Sequence, residues 1–360
     1  MRDSITVSHT TDPDSPTPLT RIGVFIDDYY LRKYGQDLFI APGTFLQGVC
    51  HTAFPVAKFL AKAWRAPIYT EEPSAFLEHN EIDTILMMLS LPERTEYIRQ
   101  AIMAGKNVLY PPPFSVNPND YRDLSAIATV KGIHIRPIWA MEAEPSALFA
   151  REQFEEEGEG NDNQIRCHWM LPPLIRRDSE HPMRISPLLE ILSEGVHFCN
   201  GFLGEVQSVS AEIRLPSRTT RQTIAHLILN HPQGVSIHHI TQVPARDVRQ
   251  LVIMDTGSIS LEIRIPHRSP NPHGDPHHGL IFTDTGRKII RYTHSARSIP
   301  AALPHSVEML IRESAGQGGF EEDMKCVAHL HAAFVSTRES MKVATPMTVT
   351  EEMVAWLEDF

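Results

Sequence analysis

Glu93–Leu109, ERTEYIRQAIMAGKNVL, contains two kinds of periodicity in one stretch. From Glu93 to Ala104 the apolar residues Tyr97, Ile98, Ala101 and Ile102 share one helical face, and Gly105 supplies the stop. Asn107–Tyr110 then reads as a short buried strand. A helix that runs through a glycine into a buried strand is half of a parallel crossover, so this stretch predicts a parallel sheet with helices packed on it. The same alternation continues outward. On the N-terminal side, Arg21–Ile26 (RIGVFI), Phe45–His51 (FLQGVCH) and Thr84–Leu89 read as strands, and Pro55–Ala66 (PVAKFLAKAWRA) as a helix whose proline suits the first turn. On the C-terminal side, Asn117–Lys131 opens on an Asn-Pro cap and closes at Gly132, and Ile133–Trp139 comes next as another strand.

After Ala140 the pattern changes. Pro145 to Glu157 reads as an acidic helix and Gln164–Leu171 as a strand. Strands with alternating faces succeed it: Val206–Leu215, Ile224–Leu229, Val235–Thr241, Arg249–Met254, Ser258–Ile265 and Leu280–Thr283. In the clearest of them Ile259, Leu261, Ile263 and Ile265 face one way and Ser258, Ser260, Glu262 and Arg264 the other, as expected of a mixed or antiparallel sheet with one covered face. Glu321–Glu339 reads as a final long helix. The fold class expected is α/β: an N-terminal Rossmann-like doubly wound parallel sheet over residues 20–140, then a C-terminal α+β domain with a large, open-faced, mostly antiparallel sheet over 141–345. A loose tail at 1–19 and a polar tail at 346–360 flank them.

Composition fits this plan. The chain has 360 residues, enough for two domains at ~150 residues each. With 33 basic against 44 acidic residues the formal charge is −11, which argues against a general grip on nucleic acid or an anionic membrane. Met1–Pro18 has no apolar stretch suited to a signal peptide, and no run reaches the ~18 apolar residues needed to cross a bilayer. The four cysteines, Cys50, Cys167, Cys199 and Cys326, show no CxxC spacing, so neither a zinc knuckle nor a disulfide framework is expected, and a reducing cytoplasm is the simplest setting. The histidines are numerous, 19 in all, and four of them (His267, His273, His277 and His278) fall in PHRSPNPHGDPHHG. This Pro- and Gly-rich stretch reads as a surface hairpin connection rather than a metal site.

RIGV in the first strand, GVCH ending the second, ERTEYIRQAIMAGKNVL, and GVHFCNGFLGEV in the second half together resemble the Gfo/Idh/MocA family, two-domain proteins named for glucose-fructose oxidoreductase and inositol dehydrogenase. The resemblance implies the Rossmann fold, and for most members NAD(P)-dependent oxidoreduction of sugars, cyclitols or related substrates. It also implies where the chemistry should sit. The family's GxGxxG turn, whose glycines admit a pyrophosphate, falls on Ile26, Asp28 and Leu31, with Asp27 beside them; the Asp pair also reads as an ordinary helix start. The ribose-binding acid corresponds to His51, which can donate to a ribose or simply end a strand. The Glu-Lys-Pro stretch becomes Pro111-Pro112-Pro113, so Pro113 keeps the family proline, the lysine is lost, and Tyr110 is the nearest phenol. The Asp-x-Gly-x-His arrangement becomes Ser193-Glu194-Gly195-Val196-His197, which keeps the histidine and places Ser193 on the same helical face. Arg94 occupies a substrate-side position, where it binds an anionic group or sits in solvent.

These replacements point to a protein of the family that has lost classical NAD(P)-dependent hydride transfer and acts as a binding or accessory subunit, or as a non-redox catalyst, with no cofactor expected. The alternative is an active NAD(P)-dependent reductase with an atypical nucleotide grip, using Tyr110 or His197 as proton donor. A small-molecule ligand, a homodimer or higher homo-oligomer, and no nucleic-acid or membrane partner complete the expectation. A separate protein partner is also compatible with it.

Overall fold

The computed structural model describes residues 21–34, 45–91, 93–143, 147–148, 150–152, 154, 163–171, 186–214, 224–242, 249–255, 259–266, 277–283, 286–292 and 320–358. The tail at 1–19, the loop at 267–276 and most of the acidic stretch at 145–157 lie outside them. The first sheet is built from β1 (Arg21–Ile26), β2 (Phe45–Cys50), β3 (Ile68–Thr70), β4 (Thr84–Met88), β5 (Asn107–Tyr110) and β6 (Ile135–Pro137), in the order β3-β2-β1-β4-β5-β6. All its pairings are parallel, and this order is that of a doubly wound dinucleotide-binding sheet. The connecting helices are α1 (Asp28–Tyr34), α2 (Phe54–Trp64), α3 (Pro73–Leu77), α4 (Glu93–Met103) and α5 (Pro118–Lys131). Asn117 caps α5 by accepting from the Asn119 amide, and Gly132 ends it in the left-handed conformation, as the sequence predicts.

The crossover through β3 and α3 was not visible in the sequence pattern. β3 is three residues long with no fully buried position, so it carries no hydrophobic run. Phe76 of α3 lies flat against the sheet: a Cβ on Gly23 or Gly48 would come within 2.8 or 2.9 Å of its ring, which explains the glycines of RIGV and GVCH by packing.

The second sheet has nine strands in the order β14-β13-β12-β11-β7-β10-β9-β8-β15, from β7 (Asn163–Leu171) through β8 (Ser208–Arg214), β9 (Ile224–His231), β10 (Gly234–Gln242), β11 (Arg249–Asp255), β12 (Ile259–Pro266), β13 (His277–Thr283), β14 (Gly286–Tyr292) and β15 (Val343–Ala344). Among the described residues only β7 and β10 of this sheet pair in parallel. Alternate residues of β7 are buried, and α6 (Ser186–Leu203) packs against β7 and β10. His277 and His278, expected in the loop, begin β13. The helix α7 (Phe320–Glu339) belongs in sequence to the second half, yet Phe320 and Val327 join the core of the first sheet while Cys326 and Leu330 join that of the second. The C-terminal stretch, expected as a tail, forms α8 (Glu351–Glu358). Among the described residues no helix is long and apolar enough to cross a membrane.

Candidate functional site

The end of β1 decides how a nucleotide could be received. Asp27 accepts a hydrogen bond from the Tyr30 amide at 2.9 Å, so it is the cap of α1. Its other oxygen accepts from the Ser90 amide at 2.9 Å and the Ser90 hydroxyl at 2.6 Å, tying the end of β4 to the same point. A carboxylate of the chain thus takes up donors at the helix terminus where the fold ordinarily welcomes phosphate. The sequence anticipated the cap but not the link to Ser90, which is 63 residues away. Asp28 is exposed, and its carboxylate faces His51 Nε2 at 3.4 Å. His51 is buried; its Nδ1 accepts from the Ala53 amide at 3.0 Å, while Nε2 has no hydrogen-bond partner. Of the three residues predicted for the cofactor site, Asp28 and His51 therefore meet.

Tyr30 of α1 is fully buried and its hydroxyl donates to Glu190 of α6. Arg94 completes this contact and lies neither in solvent nor free for an anion. Its Nε donates to Leu89 O at 2.6 Å, Nη1 to Pro111 O at 2.5 Å and Pro113 O at 2.6 Å, and Nη2 to the Tyr30 hydroxyl at 2.5 Å and Glu190 at 3.0 Å. A guanidinium has five N–H donors, and all are used. Burial opposes the charge on Arg94, but Tyr30 and Glu190 outweigh it and hold the pKa above the ordinary value. The substrate-binding role expected of Arg94 is therefore corrected to a bolt between the two halves. Glu190 and Tyr30 had no signal in the sequence, because 160 residues separate them.

Pro113 follows a cis bond from Pro112, and its contact here is the carbonyl given to Arg94. Tyr110 is equally committed. It is fully buried, and its hydroxyl donates to Asp323 of α7 at 2.9 Å, beside Tyr121 at 2.9 Å and the Phe114 amide at 3.0 Å. Burial, then the Asp323 charge, push the Tyr110 phenol well above its usual range. Burial also raises Asp323 to about 6 against the three hydrogen bonds. A phenol held this way is a poor proton donor to a ligand.

On α6, Ser193 and His197 do not form a nucleophile and base pair. Ser193 is fully buried and its Oγ has no hydrogen-bond partner. His197 is half-buried and stacks on Trp139, with ring centroids 3.8 Å apart and planes within 7°. Glu194, the residue between the expected pair, accepts from the Ala140 amide at 2.9 Å and so caps the short helical turn Ala140–Ala143. The Trp139 indole nitrogen is buried without a partner.

Residues 22–136 match the family described as an oxidoreductase family with an NAD-binding Rossmann fold. This match, to the model named for Gfo/Idh/MocA, covers most of the first sheet. Most of the chain also superposes on solved oxidoreductase structures. It is similar in fold to a 3-ketoreductase from Actinomadura kijaniata, KijD10, solved with NADP and TDP-benzene, at TM-score 0.72 and 17% identity over 88% of this chain and 98% of that one. It is similar in fold to an oxidoreductase from Agrobacterium radiobacter, solved with NAD+, L-tartaric acid and magnesium, at TM-score 0.69 and 13% identity over 90% of this chain and 98% of that one. No curated protein matches the sequence. At these identities the solved structures establish the fold. The residues at the end of β1 do not fit a nucleotide held in the manner of a glycine-rich turn, because Asp27 takes up the donors at the α1 terminus and Ile26, Asp28 and Leu31 stand at the glycine positions.

Proposed function

We propose that this protein keeps the Gfo/Idh/MocA fold without classical NAD(P)-dependent hydride transfer, and acts as a binding or accessory subunit, or a non-redox catalyst, for a small molecule held between its two domains. The observation that carries this reading is the Asp27 carboxylate on the Tyr30 amide and on Ser90: a pyrophosphate brought there meets a resident negative charge. Pro112 in place of the lysine and the commitment of Tyr110 to Asp323 support it, since neither offers a mobile proton. The half-buried His197 ring, stacked on Trp139, is the side chain this reading assigns to a ligand. We extend the proposal to a homo-oligomer paired through the open face of the second sheet, which light scattering tests; a monomer at working concentration refutes it.

The deciding experiment is calorimetric titration of the purified protein with NADH and with NADPH. The reading expects no specific binding of either, and micromolar binding overturns it. A second reading, a reductase with an atypical nucleotide grip, is favoured by one observation: the buried His51 Nε2 lacks a hydrogen-bond partner at the strand end that faces a ribose in this fold. That reading expects nucleotide binding which His51→Ala abolishes.

A further inference from the structure

The cysteines scattered in sequence are not all scattered in space. Cys167 lies mid-way along β7, and its register partner on the parallel neighbour β10 is His238. Cys199 comes down on them from α6, with its Sγ 3.8 Å from that of Cys167. One ligand atom from each of the three residues lies within 4.8 Å of the other two, and all three residues are buried. Two thiolates bound to one zinc ion at ~2.3 Å with a tetrahedral angle stand about 3.8 Å apart. The sulfurs are thus already spaced for a shared metal ion, on elements whose backbones are fixed by the sheet and the helix.

Two further observations concern the histidine. Gly195 sits one helical turn before Cys199, and a Cβ there would come within 2.9 Å of His238 Nδ1 and 2.8 Å of the Trp169 ring. A glycine inside a helix is less favourable than alanine, and here its missing side chain lets the imidazole rise against α6 with Nδ1 leading. A relay then fixes the proton on that ring. His231 Nδ1 contacts the Gly204 carbonyl at 2.7 Å, and a carbonyl only accepts, so Nδ1 carries hydrogen and Nε2 does not. The Ser236 hydroxyl therefore donates to His231 Nε2 at 2.8 Å and accepts from His238 Nε2–H at 3.2 Å. His238 Nδ1 is left as the acceptor nitrogen; it takes a hydrogen bond from Trp169 Nε1 at 3.3 Å, which a metal ion would displace. A metal-ligating histidine is ordinarily held this way, its second nitrogen donating to a fixed acceptor.

We propose that Cys167, Cys199 and His238 Nδ1 form a three-ligand site for one thiophilic metal ion, with Zn(II) the resident and its fourth position taken by a water. Two thiolates and one Zn(II) sum to zero charge, which matters among buried residues, whereas Cu(I) leaves a buried negative charge. The ion fastens α6 to the centre of the second sheet, and α6 is the helix that carries Glu190, Ser193, Glu194 and His197.

The test uses the full-length protein expressed with added zinc and dialysed. Elemental analysis is expected to give about one zinc per chain, and cobalt(II) added to the chelator-stripped protein is expected to give a thiolate-to-metal charge-transfer band. Cys167→Ala and Cys199→Ala lose both signals; Cys50→Ala and Cys326→Ala, which alter the other two buried cysteines, keep them. Absence of zinc and of the cobalt band in the unaltered protein overturns the site, as does equal loss in the Cys50 and Cys326 variants. Uptake of Cu(I) with no uptake of zinc overturns the assignment of the ion. If the Cys167 and Cys199 variants fail to fold, the unaltered protein's metal content and cobalt spectrum decide alone.

Discussion

Asp27→Ala removes the acceptor of three hydrogen bonds at once, from the Tyr30 amide and from the amide and hydroxyl of Ser90. Loss of a helix cap costs about 1 kcal/mol, and loss of a charged acceptor costs about 1.5–3 kcal/mol where water cannot replace it. Asp27 is half-buried, so water recovers part of the second contribution, and the net expectation is a loss of about 2 kcal/mol in urea unfolding. The variant also bares the α1 terminus, so inorganic phosphate should bind there and restore stability by RT ln(1 + [L]/Kd), about 1.4 kcal/mol at tenfold the Kd. The unaltered protein should gain only the general salting effect, measured with sodium chloride at matched ionic strength. Equal stabilisation of both proteins by phosphate, or a loss below about 0.5 kcal/mol in the variant, refutes the view that Asp27 stands in for phosphate.

The packing sets three further outcomes. Arg94→Met leaves three backbone carbonyls without their donor and Glu190 without its countercharge and should cost about 3–5 kcal/mol, much of it recovered in Arg94→Met with Glu190→Leu; a double-mutant cycle giving simple additivity argues against the bolt. His329 is held by burial at about 4 instead of 6.5, so its contribution is present above pH 6.5 and lost as pH falls through about 4, worth on the order of 3 kcal/mol. His329→Gln should flatten the acid limb of stability measured by urea titration between those pH values, and an unchanged limb excludes this histidine as its source. Gly195→Ala should destabilise by about 1–3 kcal/mol through overpacking on Trp169 and His238; a gain of the ~1 kcal/mol expected from helix propensity alone would show that the imidazole does not press on α6.

The site was legible in the sequence only where one element carried the information. The Asp27 cap, the strand end at His51, the lost lysine at Pro112 and the retained His197 are each visible within a few residues of a recognisable helix or strand. The partners that decide what those residues can do were not. Glu190 and Tyr30 turn Arg94 from a candidate anion binder into a buried bolt, and Asp323 withdraws Tyr110. The stacking of Trp139 on His197 and the unpartnered Ser193 Oγ replace a serine–histidine pair that helical spacing made plausible. β3 escaped notice because a three-residue strand with no buried position leaves no periodicity to read.

The sequence by itself determined the class of each half, since alternating buried strands and capped amphipathic helices can pack only as a covered parallel sheet, and period-two strands only as a one-sided sheet. It also determined that the glycine-rich turn is absent. Tertiary structure alone decided which polar groups remain available, because hydrogen bonding pairs residues by distance in space: Asp27 with Ser90, Arg94 with Glu190, Tyr110 with Asp323, and Cys167 with Cys199 and His238. A side chain's chemistry is set by the partner that satisfies it, and in this protein those partners come from elements distant in the chain.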